Sequence, residues 1–131
     1  MSATPNTAST RKRILVAEDD PAIATLLVRV LSQHFEVVHA ADGLSAVRVA
    51  SQLPAPNLLL LDVMLPGADG YVVAQRVRAL DHMKQVPIIF LTARTSPLDV
   101  IRGIQHGARH YIHKPFKIDD VLSKVKKSLG E

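Results

Sequence analysis

Short apolar runs alternate along this chain with longer stretches in which apolar residues recur every three or four positions. Arg13 to Glu18 (RILVAE), Glu36 to Ala40 (EVVHA), Asn57 to Leu61 (NLLLL), Pro87 to Leu91 (PIIFL) and His110 to His113 (HYIH) predict five strands. The unbroken run Leu58 to Leu61 predicts a strand covered on both faces, as in parallel sheets. Asp20 with Pro21 opens a first helix whose Ile23, Leu26, Leu27, Val30 and Leu31 share one face. Asp42 and Gly43 open a second with Val47 and Ala50 inward, and Asp69 and Gly70 a third with Val73, Val77 and Leu80 inward. Ser96 and Pro97 open a fourth, which carries Ile101 and Ile104 and stops at Gly107, a natural left-handed residue. The fifth runs from about Ile118 through Val121, Leu122, Val125 and Leu129; Lys117 is a poor cap, so its start is expected to be loose. Strict alternation of strand and helix predicts a doubly wound α/β domain with right-handed crossovers and its site beyond the carboxyl ends of the strands.

The 131 residues, 47% of them hydrophobic, suit one domain with one fold to carry the function. Met1 to Thr10 is polar and without apolar period, which predicts a flexible tail ahead of a folded domain over 11–131. No cysteine is present, so disulfides and thiolate metal sites are excluded. No apolar run is long enough to span a membrane and the N-terminus lacks a signal-peptide pattern, so a cytoplasmic location without membrane contact is expected. The net charge of +4 comes from Lys and Arg dispersed over the chain, and Trp is absent; a basic solvated surface is expected rather than direct nucleic-acid binding.

The strand ends carry the chemistry. Glu18, Asp19 and Asp20 follow the first strand, Asp62 ends the third, Thr92 the fourth and Lys114 the fifth. Anions gathered at the mouth of an apolar sheet repel one another, which calls for a raised pKa or a bound cation, and ligands made only of oxygen favour Mg²⁺. The Thr92 hydroxyl and the Lys114 ammonium suit phosphate oxygens. Singly, each of these residues is ordinary, and an isolated acidic run is usually a solvated helix start. Acid, acid, hydroxyl and amine at the ends of four strands make a functional site.

The segments ILVAEDDP, LLLLDVMLPGADGY, PIIFLTAR and GARHYIHKPF occur in the order and spacing of a known family. From about Arg13 to Leu129 the chain resembles the receiver domain of two-component response regulators, of the chemotaxis-regulator type. That resemblance implies a flavodoxin-like (βα)5 fold with a five-stranded parallel sheet in the order 2-1-3-4-5. It implies Asp62 as phosphoacceptor, Glu18 and Asp19 as the acidic pair, and the Met64 carbonyl as a further Mg²⁺ ligand beside Asp62. Thr92 is then the switch hydroxyl, Tyr111 the switch aromatic and Lys114 the phosphate-binding lysine, with a cis Lys114-Pro115 bond. The implied donor is a phosphohistidine on a sensor histidine kinase or phosphotransfer protein, and the domain is expected to act as a switch, not an enzyme. Its output is implied to run from Thr92 to an inward turn of Tyr111 and a change in the face formed by the fourth helix, fifth strand and fifth helix. That face would meet a downstream partner or effector domain, or a second copy in a phosphorylation-dependent homodimer. Arg94, Arg102, Lys117 and Lys124 on or near it favour an acidic partner or cross-paired charges. The chain is expected to be either a stand-alone regulator or the N-terminal module of a longer one.

Other features are less committal. Met64 and Arg94 flank the acceptor in similar domains, and an apolar and a bulky residue there would shield a phosphoryl group. His106, His110 and His113 form no common metal motif, Tyr71 is expected to pack at the third helix, and Lys124, Lys126 and Lys127 are expected to edge the last helix. A flavodoxin-like cofactor protein would need a Ser, Thr or Gly phosphate loop where Glu18-Asp19-Asp20 stands. Phosphatases with an aspartyl nucleophile usually carry a second Asp where this chain has Met64.

Overall fold

The computed structural model describes residues 11–93 and 96–131. The expected tail at 1–10 and the expectations placed on Arg94 lie outside the described residues. Five parallel strands, β1 (Arg13–Ala17), β2 (Glu36–Ala40), β3 (Leu58–Leu61), β4 (Ile88–Thr92) and β5 (Ala108–His113), form one sheet in the order β2-β1-β3-β4-β5. They alternate with α1 (Pro21–Leu31), α2 (Gly43–Ser51), α3 (Gly70–Arg78), α4 (Pro97–Gln105) and α5 (Ile118–Ser128). The expected flavodoxin-like order is the observed one.

Side chains on a strand alternate between faces, so each apolar run feeds two cores. Leu15, Ala17, Leu59, Leu61, Ile88 and Phe90 pack with Ala46 and Ala50 of α2 and with Val73 and Val77 of α3. Ile14, Val16, Leu58, Leu60, Ile89 and Leu91 pack with Leu27 and Leu31 of α1 and with Val121 and Val125 of α5. Val47 and Leu80, expected inward, are only half-buried, and Leu26, expected on the inward face of α1, is exposed while Ala24 is buried there; on α2 Ala46 and Ala50 are both fully buried.

Four helices start where a short acceptor side chain predicts. Asp20, Asp42, Asp69 and Ser96 accept backbone N–H bonds from Ala22, Ser45, Val72 and Asp99. Lys117 caps α5 without a side-chain hydrogen bond, as expected, and Asp119 and Asp120 in the first turn complement the helix dipole instead. Gly107 has φ +78, the left-handed value expected beyond α4. Lys114-Pro115 is cis, and so is Leu53-Pro54. A 3₁₀ turn at Asp81–Met83 was not foreseen; it buries Met83.

Two departures shape the molecule's far face. Between Ile88 and Ile89 the pairing with β5 shifts by one residue, from Ala108 to His110. The extra residue reverses the alternation, so Ala108 and Tyr111 pack on the same side, with Phe90, beneath α4. Helix α4 turns most of its apolar residues outward: Leu98, Ile101 and Ile104 are 74%, 48% and 66% exposed, and its buried residue is Gly103. A Cβ at Gly103 would stand 2.7 Å from Tyr111 Cδ2, so glycine lets the helix close on that ring.

Close packing also fixes the loop after β3. The Gly43 N–H donates to Pro66 O at 3.0 Å, and a Cβ at Gly43 would overlap the Ala68 carbonyl oxygen. Gly43→Ala should therefore cost about 3 kcal/mol, because backbone has to move to admit the methyl group. Urea unfolding checks this; a midpoint within error of wild type would show that α2 sits loosely on this loop.

Candidate functional site

The hydrogen-bond ladder continues one residue past β1, β3 and β5 and so gathers the site. The Asp62 N–H donates to Ala17 O at 2.9 Å, the Glu18 N–H to Ala40 O at 3.0 Å and the Lys114 N–H to Thr92 O at 2.9 Å. Glu18 and Asp62 are thereby held side by side after the adjacent β1 and β3, while Lys114, after β5, reaches them across the end of β4 at the same carboxyl edge of the sheet. Lys114 Nζ lies 2.8 Å from Asp62 Oδ2 and 2.7 Å from Glu18 Oε1, the latter an ionic contact without hydrogen-bond alignment. Asp62 Oδ1 accepts the Met64 N–H at 3.0 Å, and Glu18 Oε2 accepts the Asp20 N–H at 3.1 Å. His39 Nε2 donates to the Glu18 carbonyl at 2.7 Å, a contact the sequence did not suggest.

Glu18 is 1% exposed and Asp62 5%, whereas Asp19 faces solvent. Carboxylate oxygens of Glu18, Asp19 and Asp62 lie within 4.8 Å of one another. Asp20, the third acid of the run, is spent on its own helix, where Oδ1 accepts from Ala22 and Ile23. Burial pushes the Glu18 carboxyl above its ordinary range and the charge of Asp62 adds to this, while Lys114 and the Asp20 N–H oppose it. Burial works against the Lys114 ammonium, but its two carboxylate neighbours outweigh that and raise its pKa.

Thr92 is fully buried at the end of β4 and joined through its carbonyl to Lys114. Met64 stands two residues past Asp62 with its side chain exposed and its amide on the carboxylate. Tyr111 is not part of the acidic cluster. Its hydroxyl lies 3.0 Å from that of Tyr71, and its ring is tilted on Phe90 with centroids 5.9 Å apart. Tyr71 packs as expected, 1% exposed and edge-on to Phe90, but its hydroxyl also donates to Asp99 O at 2.8 Å. That role had a signal, since a buried tyrosine needs a partner for its O–H.

The arrangement offers two buried carboxylates and an exposed one to a hard cation, with an ammonium beside them. The family model that describes the response regulator receiver domain matches residues 14–126. The chain belongs to the response-regulator receiver family. This receiver is 41% identical over 120 residues to the DNA-binding response regulator MtrA of Mycolicibacterium smegmatis, covering 91% of this chain and 51% of that protein. It thus spans about half the length of the curated relatives it matches. A putative response regulator from Chloroflexus aurantiacus superposes with TM-score 0.84 at 35% identity, over 92% of this chain and 99% of the other. The receiver domain of sensor histidine kinase PA1611 from Pseudomonas aeruginosa, described with a magnesium ion in its active-site cleft, gives TM-score 0.80 at 32% identity, over 92% and 99%. Like these, the receiver is a component of two-component signalling. Among its described residues, no helix is long and apolar enough to cross a membrane.

Proposed function

We propose that this receiver takes a phosphoryl group onto Asp62 in a Mg²⁺-dependent reaction and transmits the change to the face formed by α4, β5 and α5. The observation that carries the reading is the Lys114 ammonium held between Asp62 and Glu18, with Asp19 beside them. In the transfer, a carboxylate oxygen of Asp62 forms the new O–P bond as the P–N bond of a partner's phosphohistidine breaks, and the imidazole leaves. Lys114, already on Asp62 Oδ2, takes up charge on the phosphoryl oxygens, and the Thr92 hydroxyl at the end of the neighbouring strand takes another oxygen. The Met64 N–H on Oδ1 holds the carboxylate plane.

The acid set fits Mg²⁺: it is all oxygen, and Glu18 is a buried carboxylate whose charge one ammonium balances only in part. Asp19, Asp62 and the Met64 carbonyl would hold the ion, with Glu18 behind them. When bound, Mg²⁺ supplies charge neutralisation and a template for the phosphoryl oxygens. Asp19→Ala should reduce Mg²⁺ affinity at least about tenfold, because an exposed direct ligand is lost without disturbing the core. Calorimetric titration that gives an unchanged affinity would remove Asp19 from the site.

The domain is on this reading a cytoplasmic switch whose chemistry is confined to its own acceptor, fed by a sensor histidine kinase or phosphotransfer protein. Its α4 presents Leu98, Ile101 and Ile104, with Arg102 and Lys117 nearby, to a downstream partner, an effector domain or a second copy. Nucleic-acid contact is assigned to other parts of a regulator. Intact-mass analysis after incubation with Mg²⁺ and acetyl phosphate tests the reading. Gain of one phosphoryl group is expected, and its absence overturns the reading.

A further inference from the structure

Tyr71 touches more of the switch face than its place on α3 suggests. It follows Gly70, whose N–H donates to Val63 O at 2.8 Å and at which a Cβ would overlap the carbonyl oxygen of Asp62. The start of α3 is thus pressed against the acceptor's own backbone, with no slack between Asp62 and Tyr71. At its other end the Tyr71 side chain is gripped by α4. Its hydroxyl donates to Asp99 O, the Arg102 guanidinium lies 4.3 Å from the ring centroid, and His106 stacks on the ring at 5.5 Å and 22°. These three contacts come from successive turns of α4 and its C-cap residue His106, and the buried residue of that helix is Gly103. Because the single Tyr71 proton goes to a carbonyl, which can only accept, the Tyr111 hydroxyl is the donor in the pair between the two tyrosines. The chain of bonds runs from Tyr111 through Tyr71 to Asp99, and such chains strengthen one another.

We propose that Tyr71 is a positioning residue that carries movement of the acceptor loop, residues 62–69, directly to α4 and Tyr111, by a route separate from Thr92. This rests on the reading of Asp62 as the acceptor. A ring clamped at both ends transmits a displacement because neither end can move without the other, and among the described residues of α4 the buried one is Gly103, set against Tyr111 and Phe90. The hydroxyl contacts set how tightly α4 follows, since each is worth roughly a three- to tenfold bias in a two-state equilibrium.

The test uses amide and side-chain NMR of the full chain with and without Mg²⁺ and beryllofluoride, a phosphoryl mimic. Wild type is compared with Tyr71→Phe, which keeps the ring, and with Arg102→Gln, a surface change that leaves the interior intact. In wild type, shifts are expected around Asp62 to Gly70, across Val100 to Gln105 and at Tyr111. In Tyr71→Phe the first group should persist, while the shifts in α4 and at Tyr111 fall by roughly half or more; Arg102→Gln should give a smaller fall. A merely structural Tyr71 would lower the melting temperature and leave this response whole. The proposal is overturned if α4 and Tyr111 respond in Tyr71→Phe as in wild type, or, should that variant fail to fold, if Arg102→Gln leaves the α4 response unchanged. If wild type shows no shift around Asp62, the acceptor reading itself fails, which is a distinct outcome.

Discussion

Asp62→Asn is expected to gain no phosphoryl group from acetyl phosphate and Mg²⁺ while wild type is labelled, a fall in rate of at least about 10³-fold. The amide has the shape of the carboxylate but its oxygen is a far poorer nucleophile. The fold should survive. An amide oxygen can still accept the Met64 N–H, and the substitution removes one of two anions that share Lys114. Glu18, whose carboxyl is pushed up partly by the charge of Asp62, should move back towards its ordinary value of 4.5. Intact mass reads the labelling, and urea unfolding reads the fold. Labelling of the variant at the wild-type rate would place the acceptor elsewhere.

The cluster of Glu18, Asp19, Asp62 and Lys114 was legible because every member sits within a residue or two of a strand end, and strand ends follow from apolar runs that turn abruptly polar. Asp20 was read as the start of the first helix and caps it, but the sequence left open how Glu18 and Asp19 divide their work; the ladder bond to Ala40 turns Glu18 inward and leaves Asp19 facing solvent. Thr92 lay just past the expected strand and is its last residue, an ordinary one-residue slip where an apolar run meets a hydroxyl.

The face around α4 and β5 was harder to foresee. Periodicity cannot reveal a register shift between Ile88 and Ile89, yet that shift decides which side of the sheet Tyr111 occupies. The apolar residues of α4 look like core in sequence, and the short helix spends its inward face on Gly103 and the rings of Tyr71 and Tyr111 instead. Tyr111, expected to turn inward on phosphorylation, already lies half-buried against Tyr71 and Phe90. Any phosphorylation-linked change at this face would therefore start from a tyrosine already engaged with Tyr71 and Phe90.

Lys114→Met is expected to lower stability and raise metal affinity together. Nζ is the one cation in direct contact with Glu18 and Asp62 among the described residues, and both carboxylates are almost wholly buried. Removing it leaves two buried anions facing each other, which should cost about 3 kcal/mol at neutral pH in EDTA. Mg²⁺ no longer has to compete with a resident ammonium, so its affinity should rise roughly tenfold or more, and saturating Mg²⁺ should restore much of the lost stability. The pH dependence follows from the two shifts. Lys114 has a raised pKa in the folded protein, so its stabilising contribution is complete below its ordinary 10.5 and is lost as pH rises through the folded value. Glu18 is also raised, so the folded form holds that proton more tightly than the unfolded chain, and acidification towards its ordinary 4.5 favours folding through this group. Without Lys114 the upward push on Glu18 is stronger, and the deficit of the variant should narrow as pH falls from about 7 to 5. Urea unfolding at both pH values, with EDTA and with Mg²⁺, measures all three effects. A variant as stable as wild type in EDTA, with unchanged Mg²⁺ affinity, would show that Lys114 does not hold this cluster together.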